Sequence, residues 1–572
     1  MADPKPPGDT SFPAATAVPT PPPAAEKPKV LHLKIDGVPV EAAPGTNLIE
    51  AARKVGIEIP YYCYHPKLSI AANCRMCLVE TSNAPKLVPG CQTPVAEGIE
   101  VRTTTSRVKE AQRSVLEFLL LNHPVDCSIC DQAGECKLQD YYMKFDHQPS
   151  RLVGPKILKE KRKVLGPLVV LDQERCILCT RCVRFMKEVA HEPQLGVFGR
   201  GSSEVIDTFP GQPLDSNYAG NTIDLGPVGA LLSRDVRFKA RAFFLSTTPS
   251  VCTGCARGCS TFLDYFNNET YRYRPRENPK VNDVWMCDHG RLSYKYLEHE
   301  RALEVKIGRM GEGGRTAPKE EAIRLAAEKL RPLVGAEALA FAISPLGTVE
   351  DLLAGLKLAK DGLKLSRIYL SGRAPGKADH LLLREDRNPN RAAVYWIAKA
   401  LGLAVEPFAS LSQAIDQDKI KALYAYGAEV PTAPTLVASL LDGLSLVIVQ
   451  GINLGPVAGK AHVLFPASPH SEDEGTFVNF EGHIQRAVAA YPPRGQSRPH
   501  WSWASMLLTE LGVPVTWRSS REVFRELAPA VPELSGFRWD AVPRYLKHPR
   551  GIWAMPAAAD GRPVGYRERS TP

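Results

Sequence analysis

Fourteen cysteines stand in this 572-residue sequence, all between Cys63 and Cys287, and the rest of the chain has none. Cysteines clustered in this way read as metal ligands or redox groups rather than as a disulfide framework. They fall into four groups of distinct spacing. Any fold open to this chain must draw each group together.

The first group is Cys63, Cys74, Cys77 and Cys91. Upstream, "VLHLKIDGVPVEAAPGTNLIEAARKVGIEIP" reads as a strand, a turn at Asp36-Gly37, a second strand, and a helix from about Thr46–Asn47 to Gly56. A small sheet crossed by one helix and followed by a cysteine loop is the arrangement of a [2Fe–2S] ferredoxin, in a variant with a longer first loop than the plant type. Zinc on Cys74 and Cys77 is the competing reading.

The second group lies in "HPVDCSICDQAGEC": His123, Cys127, Cys130 and Cys136. The helical stretch "TSRVKEAQRSVLEFLLLNH" would present His123 near its C-terminus. Three thiolates and one imidazole suit a [4Fe–4S] cube, and the neutral nitrogen raises the potential relative to four thiolates. The third group, Cys176, Cys179 and Cys182 in "ERCILCTRC", opens a cubane run but is one donor short. The fourth is Cys252, Cys255, Cys259 and Cys287, spaced for another [4Fe–4S] cube or for a structural zinc. Arg257, Lys280 and Arg291 are candidates to offset the charge of its thiolates.

Beyond Cys287, short apolar stretches ("ALAFAIS", "RIYLSG", "ALYAYGA", "LSLVIVQ", "HVLFPAS") alternate with helical ones, the pattern of a doubly wound α/β domain. No apolar run approaches the eighteen or so residues of a membrane span. The longest candidate, residues 114–124, is broken by Glu117. A net charge of +9 with one short basic run, "KEKRK", gives no nucleic-acid stripe. The first 29 residues are Pro- and Ala-rich and show no charged-then-apolar leader, so they read as an extended tail in a cytosolic chain.

In this order the four groups resemble one family, the large iron–sulfur subunit of bacterial NADH–quinone oxidoreductase, respiratory complex I. The resemblance covers roughly residues 30–545. The first three groups also occur together in some iron-only hydrogenases and NAD-linked formate dehydrogenases. The fourth group and the α/β region resemble molybdopterin oxidoreductases. The family pattern implies a [2Fe–2S] cluster on Cys63, Cys74, Cys77 and Cys91. It implies [4Fe–4S] clusters on His123, Cys127, Cys130 and Cys136, and on Cys252, Cys255, Cys259 and Cys287. A further cube would sit on Cys176, Cys179, Cys182 and a fourth cysteine at the position of Gly226.

Glycine has no donor atom, so the third centre is a [4Fe–4S] or [3Fe–4S] cluster with altered coordination, or it is empty. Asp224, Asp235, His191, solvent or a donor from a partner subunit are the candidate replacements. The segment 461–487, "AHVLFPASPHSEDEGTFVNFEGHIQRA", resembles the pterin-proximal part of the molybdopterin enzymes. With no cysteine after Cys287 to ligate molybdenum, a degenerate domain without molybdopterin is expected.

The expected organisation is a multidomain α+β and α/β protein. It has a tail (1–29), a [2Fe–2S] ferredoxin-like β-grasp domain (30–107), a His–Cys segment (108–147) and a ferredoxin-like segment with the incomplete motif (148–245). A [4Fe–4S] domain (246–300), the α/β domain (301–545) and a C-terminal tail (546–572) follow. The resemblance implies an electron-transfer subunit with no bond-making site of its own. It would relay electrons from a flavin/NADH-binding subunit toward a quinone-proximal iron–sulfur subunit, on the cytoplasmic face of the inner membrane. Its alternatives are a subunit of a soluble hydrogenase or formate dehydrogenase, and a non-conducting structural paralogue.

Overall fold

The computed structural model describes residues 30–146, 149–427 and 438–542, so the two expected tails lie outside the described residues. Two compact units emerge, one of Met1–Tyr61 with Cys74–Arg113 and one of Tyr62–Asn73 with Ser114–Pro572.

The first unit is built on a five-stranded sheet ordered Val38–Ala42, Leu31–Ile35, Glu100–Arg102, Leu78–Thr81, Ala84–Pro89. Asp36 (φ +46°) and Gly37 (φ +82°) make the tight turn of its first hairpin, since two successive left-handed residues match the twist of the strands. The crossing helix Leu48–Lys54 is capped by Asn47, whose side chain accepts from the Glu50 amide at 3.0 Å. It buries Leu48, Ile49, Ala51 and Ala52, and the sheet residues Leu33, Ile35, Val79 and Val101 are buried as well.

The helix Ser106–Asn122, of which the residues from Ser114 belong to the second unit, ends one residue before His123, as its sequence implies. A three-stranded antiparallel sheet, Ser246–Val251, Ser260–Phe266 and Glu269–Pro275, carries the fourth cysteine group. Beyond it lies an eight-stranded sheet. Six of its strands are parallel, in the spatial order Ala404–Pro407, Arg367–Leu370, Leu339–Ile343, Ala422–Tyr426, Leu446–Gly451, Val463–Pro466. That is the doubly wound order, with its reversal between Leu339–Ile343 and Ala422–Tyr426. These two strands are buried at every position, because elements cover both faces of a parallel sheet. All five apolar stretches expected as strands are strands. Lys306–Ile307 and Arg315–Thr316 close one edge antiparallel.

At the reversal, the helix Val349–Lys357 starts with a capping box between Thr348 and Asp351. The strand Gly475–Val478 packs onto this helix start. Thr476 donates its amide (2.8 Å) and its hydroxyl (2.7 Å) to the Glu350 carboxyl. A Cβ at Gly475 would lie 2.4 Å from Thr348, which explains the glycine. Glu350 is fully buried, and burial pushes its carboxyl up to about 8. Asp473, hydrogen-bonded to the Trp501 indole at 3.0 Å, is likewise raised by burial, to about 7.

Candidate functional site

Three of the four groups come together within the second unit. The thiols of Cys127, Cys130 and Cys136 lie within electrostatic range of one another, as do those of Cys176, Cys179 and Cys182, and those of Cys252, Cys255, Cys259 and Cys287. In the first group, Cys77 and Cys91 are buried, and the Gly90 amide donates to the Cys77 carbonyl at 2.8 Å.

The loops between cysteines curl through left-handed residues: Arg75 (φ +58°), Leu178 (+53°), Thr180 (+58°) and Gly258 (+58°). Such turns point backbone N–H groups inward, the geometry of anion and iron–sulfur nests. Amides accordingly donate to sulfur: Leu178 to Cys176 at 3.4 Å, Gly254 to Cys252 at 3.4 Å, Gly290 to Cys287 at 3.3 Å. Cys136 stands at the N-cap of the helix Lys137–Phe145 without a side-chain cap hydrogen bond, and the Gln139 and Leu138 amides act to lower its thiol. Burial nonetheless pushes the Cys136, Cys176 and Cys252 thiols up to about 11, and Cys182, Cys259 and Cys287 well above the ordinary range. Holding these thiols as thiolates would take a cation in their midst.

His123 is pulled down to about 4 by burial, then by Arg175 and Lys156, so its imidazole is neutral and open to a metal. Arg175, itself buried, donates to Asp126 at 2.9 Å and acts on the Cys130 thiol. Its Nη1 is buried without a hydrogen-bond partner among the described residues, as a donor facing an anionic cluster would be. Among the described residues, no three or more His, Cys, Asp or Glu side chains stand as a ready-made metal site, so the thiols are gathered but not closed on a common centre.

Two arginines that sequence reasoning passed over organise the third group. Arg184 donates to the Cys63 carbonyl at 2.6 Å and to the Cys179 carbonyl at 3.2 Å. Arg181 holds the carbonyls of Tyr64 and Leu225, the latter at 3.1 Å. On the other side of this group, the Pro227 carbonyl accepts from the Lys137 amide at 3.0 Å, and a Cβ at Gly229 would lie 2.3 Å from the Cys130 sulfur. The third group thus stands between Cys63 and the second group.

The thiols of Cys176, Cys179 and Cys182 line a cavity of about 30 Å³, and Gly226 forms part of its wall. None of the three side chains named as replacement donors lines it. Asp224 is paired with Arg291. Asp235 accepts from Tyr294 at 2.6 Å and pairs with Lys295 at 2.7 Å. His191 is exposed, with its ring beside His380 at 5.4 Å. Around the fourth group, Arg257 acts on Cys259 and Arg291 on Cys287, two of the three cations expected there.

Four family models match the chain. They are the 2Fe-2S iron-sulfur cluster binding domain (residues 28–106) and the NADH-ubiquinone oxidoreductase-G iron-sulfur binding region (112–151). The others are the NADH-quinone oxidoreductase subunit 3 ferredoxin-like domain (166–232) and the molybdopterin oxidoreductase model (320–510). Among curated proteins, the chain is 40% identical over 346 residues to the NADH-ubiquinone oxidoreductase 75 kDa subunit of Reclinomonas americana, covering 60% of this chain and 50% of that one. It is 40% identical over 345 residues to the mitochondrial NADH dehydrogenase [ubiquinone] iron-sulfur protein 1 of Solanum tuberosum, covering 60% and 46%. A solved NAD+-reducing [NiFe]-hydrogenase chain aligns over 37% of this chain and 90% of its own, at 27% identity; its TM-score of 0.34 carries no argument. The resemblance read from the cysteine groups therefore stands: this chain, spanning about half the length of the curated relatives it matches, is similar to the large iron–sulfur subunit of NADH–quinone oxidoreductase.

Proposed function

We propose that this chain is an electron-transfer subunit of an NADH–quinone oxidoreductase, passing single electrons between a flavin/NADH-binding subunit and a quinone-proximal iron–sulfur subunit. Cys63, Cys74, Cys77 and Cys91 hold a [2Fe–2S] cluster. His123, Cys127, Cys130 and Cys136 hold one [4Fe–4S] cluster, and Cys252, Cys255, Cys259 and Cys287 another. Cys176, Cys179 and Cys182 hold a cluster of altered coordination. Iron–sulfur centres supply one-electron transfer when bound. The chain's part is to space them, exclude water and set their potentials by ligand type and by hydrogen bonds to sulfur.

The observation that carries this reading is the adjacency, within the second unit, of Cys63, the third group and the second group. Arg184 joins Cys63 to the third group, and residues 227–229 join the third group to the second. That is a serial path rather than a set of scattered staples. Its far end is open: Cys127 is exposed, and Val125, Ile129, Phe238, Phe243 and Phe244 expose apolar side chains on the second group and on the segment packed against it. Such a surface suits a partner subunit. No helix among the described residues is long and apolar enough to cross a membrane, in keeping with a peripheral position.

The α/β domain serves as scaffold without molybdopterin. In doubly wound folds a phosphate-bearing cofactor would rest at the helix start by the strand reversal. Here Glu350, Asp351 and the strand Gly475–Val478 fill that place with carboxyls and protein.

The test is anaerobic co-purification with flavin/NADH-binding and quinone-proximal subunits of such an oxidoreductase. On adding NADH, EPR should show the centres of the first three groups becoming reduced, and a quinone should reoxidise them. Centres that form but stay oxidised under NADH in that assembly would overturn the reading in favour of a non-conducting paralogue.

A further inference from the structure

We infer that the site of Cys176, Cys179 and Cys182 is built for a three-iron [3Fe–4S] cluster, the corner toward Gly226 carrying no iron. This rests on the reading that these three thiols hold a cluster at all. A fourth iron needs a fourth donor, and the wall offers none. Among the described residues lining the cavity there is no carboxylate, no imidazole and no fourth thiol. The one hydroxyl there, that of Thr222, donates to the Ala219 carbonyl at 2.6 Å. The acids nearest in sequence are committed elsewhere, Asp224 to Arg291 and Asp235 to Tyr294 and Lys295.

Solvent is the one remaining donor, in a cavity that is largely apolar. Apart from the thiols, Arg181 and Thr222, the lining side chains are apolar, Leu171, Val228 and Leu231 among them. A bound water needs two to four polar partners, and a bound hydroxide needs donors. At Gly226 the nearest polar atoms are acceptors: the carbonyl oxygens of Ile223 and Val228, 3.2 and 3.3 Å from where its Cβ would stand. They can accept the hydrogens of a bound water but offer no donor to a hydroxide. Three thiolates and an inert fourth wall are the ligand set of a cluster lacking that iron.

The backbone is not what keeps a side chain out. Gly226 has φ −61° and ψ 118°, an extended conformation open to any residue, so no left-handed strain is involved. A Cβ there would press on the two carbonyls by a few tenths of an ångström, a modest adjustment. Gly226→Cys should therefore supply the missing thiolate.

The experiment uses the chain purified anaerobically, with iron and sulfide counted per chain and with EPR and Mössbauer spectra of the oxidised and reduced protein. Oxidised [2Fe–2S] and [4Fe–4S] clusters are EPR-silent, whereas an oxidised [3Fe–4S] cluster is paramagnetic. The expected result is one full paramagnetic centre per chain in the oxidised protein, and one iron fewer than four complete clusters would carry. Gly226→Cys should silence that signal and take up one more iron, while Gly226→Ala, which adds the Cβ without a donor, should retain it. Four irons at this site in the native chain would overturn the three-iron assignment and leave the electron-transfer reading standing. An empty site, with the other groups filled, would overturn both. Should Gly226→Cys fail to fold, the native iron count and oxidised spectrum still decide.

Discussion

Replacing Glu350 by glutamine should make the protein more stable, and increasingly so as the pH rises. A carboxyl that ordinarily titrates near 4.5 is held near 8 by complete burial, with the neighbouring Asp351 acting in the same direction and the Thr476 donors opposing it. Below the ordinary value both folded and unfolded chains carry the proton, and Glu350 costs nothing. Above it the unfolded chain ionises freely while the folded chain does not, so stability falls as pH rises. The loss is about 1.4 kcal/mol per pH unit and levels off near the folded value, at on the order of 5 kcal/mol. Glutamine cannot ionise, and its oxygen still accepts the Thr476 amide. In denaturant unfolding followed by tryptophan fluorescence, Glu350→Gln should match the parent near pH ~4 and exceed it by about 3–5 kcal/mol near pH ~8. A difference that does not change with pH would show that Glu350 is not the buried, neutral acid described above.

Exchanging His123 for cysteine should lower the midpoint potential of the second centre, because thiolate donates more charge than imidazole; an unchanged midpoint in an EPR-monitored redox titration would remove His123 from the ligands. Asp264 is buried and takes Arg272 at 2.7 Å and Arg274 at 2.6 Å, and against the effect of burial these two hold its carboxyl well below the usual range. Asp264→Asn should cost about 3 kcal/mol, since Arg274 loses its carboxylate while Arg272 keeps Glu135 at 2.9 Å; a denaturation midpoint within error of the parent would refute this. Metal analysis of the purified chain should find neither molybdenum nor tungsten in stoichiometric amount, and an extractable pterin would contradict the scaffold reading of the α/β domain.

What could be read from the sequence was whatever is encoded locally. Asp36-Gly37, the cap at Asn47 and the five apolar strands announce themselves through turn chemistry, capping and short β-rich runs, and each appears where expected. Cysteine spacing likewise survives into space, because two or three residues between thiols leave little room to diverge. The two-residue strands Lys306–Ile307 and Arg315–Thr316 escaped notice because two residues show no periodicity. Asp224 and Asp235 were attractive donors because they flank Gly226 in the sequence, but flanking says nothing of direction, and both side chains turn to partners about sixty residues away. Arg181 and Arg184 were the real omission. They sit three apart on the helix that bears Cys182, hence on one face, and that spacing beside a thiol was the available signal.

The loop of the fourth group has a consequence for how the protein is made. Its shape depends on late residues: the Gln485 side chain donates to the Gly258 carbonyl at 2.6 Å, and the Ala256 amide donates to the Asp386 carbonyl at 2.9 Å. At ribosomal rates of about 5–20 residues per second, roughly 10–40 s separate the emergence of Cys287 from that of Gln485. During that interval the sheet of residues 246–275 can already form, but the loop 252–259 still lacks the two late contacts that fix its shape, so the fourth group is the last to reach its final form.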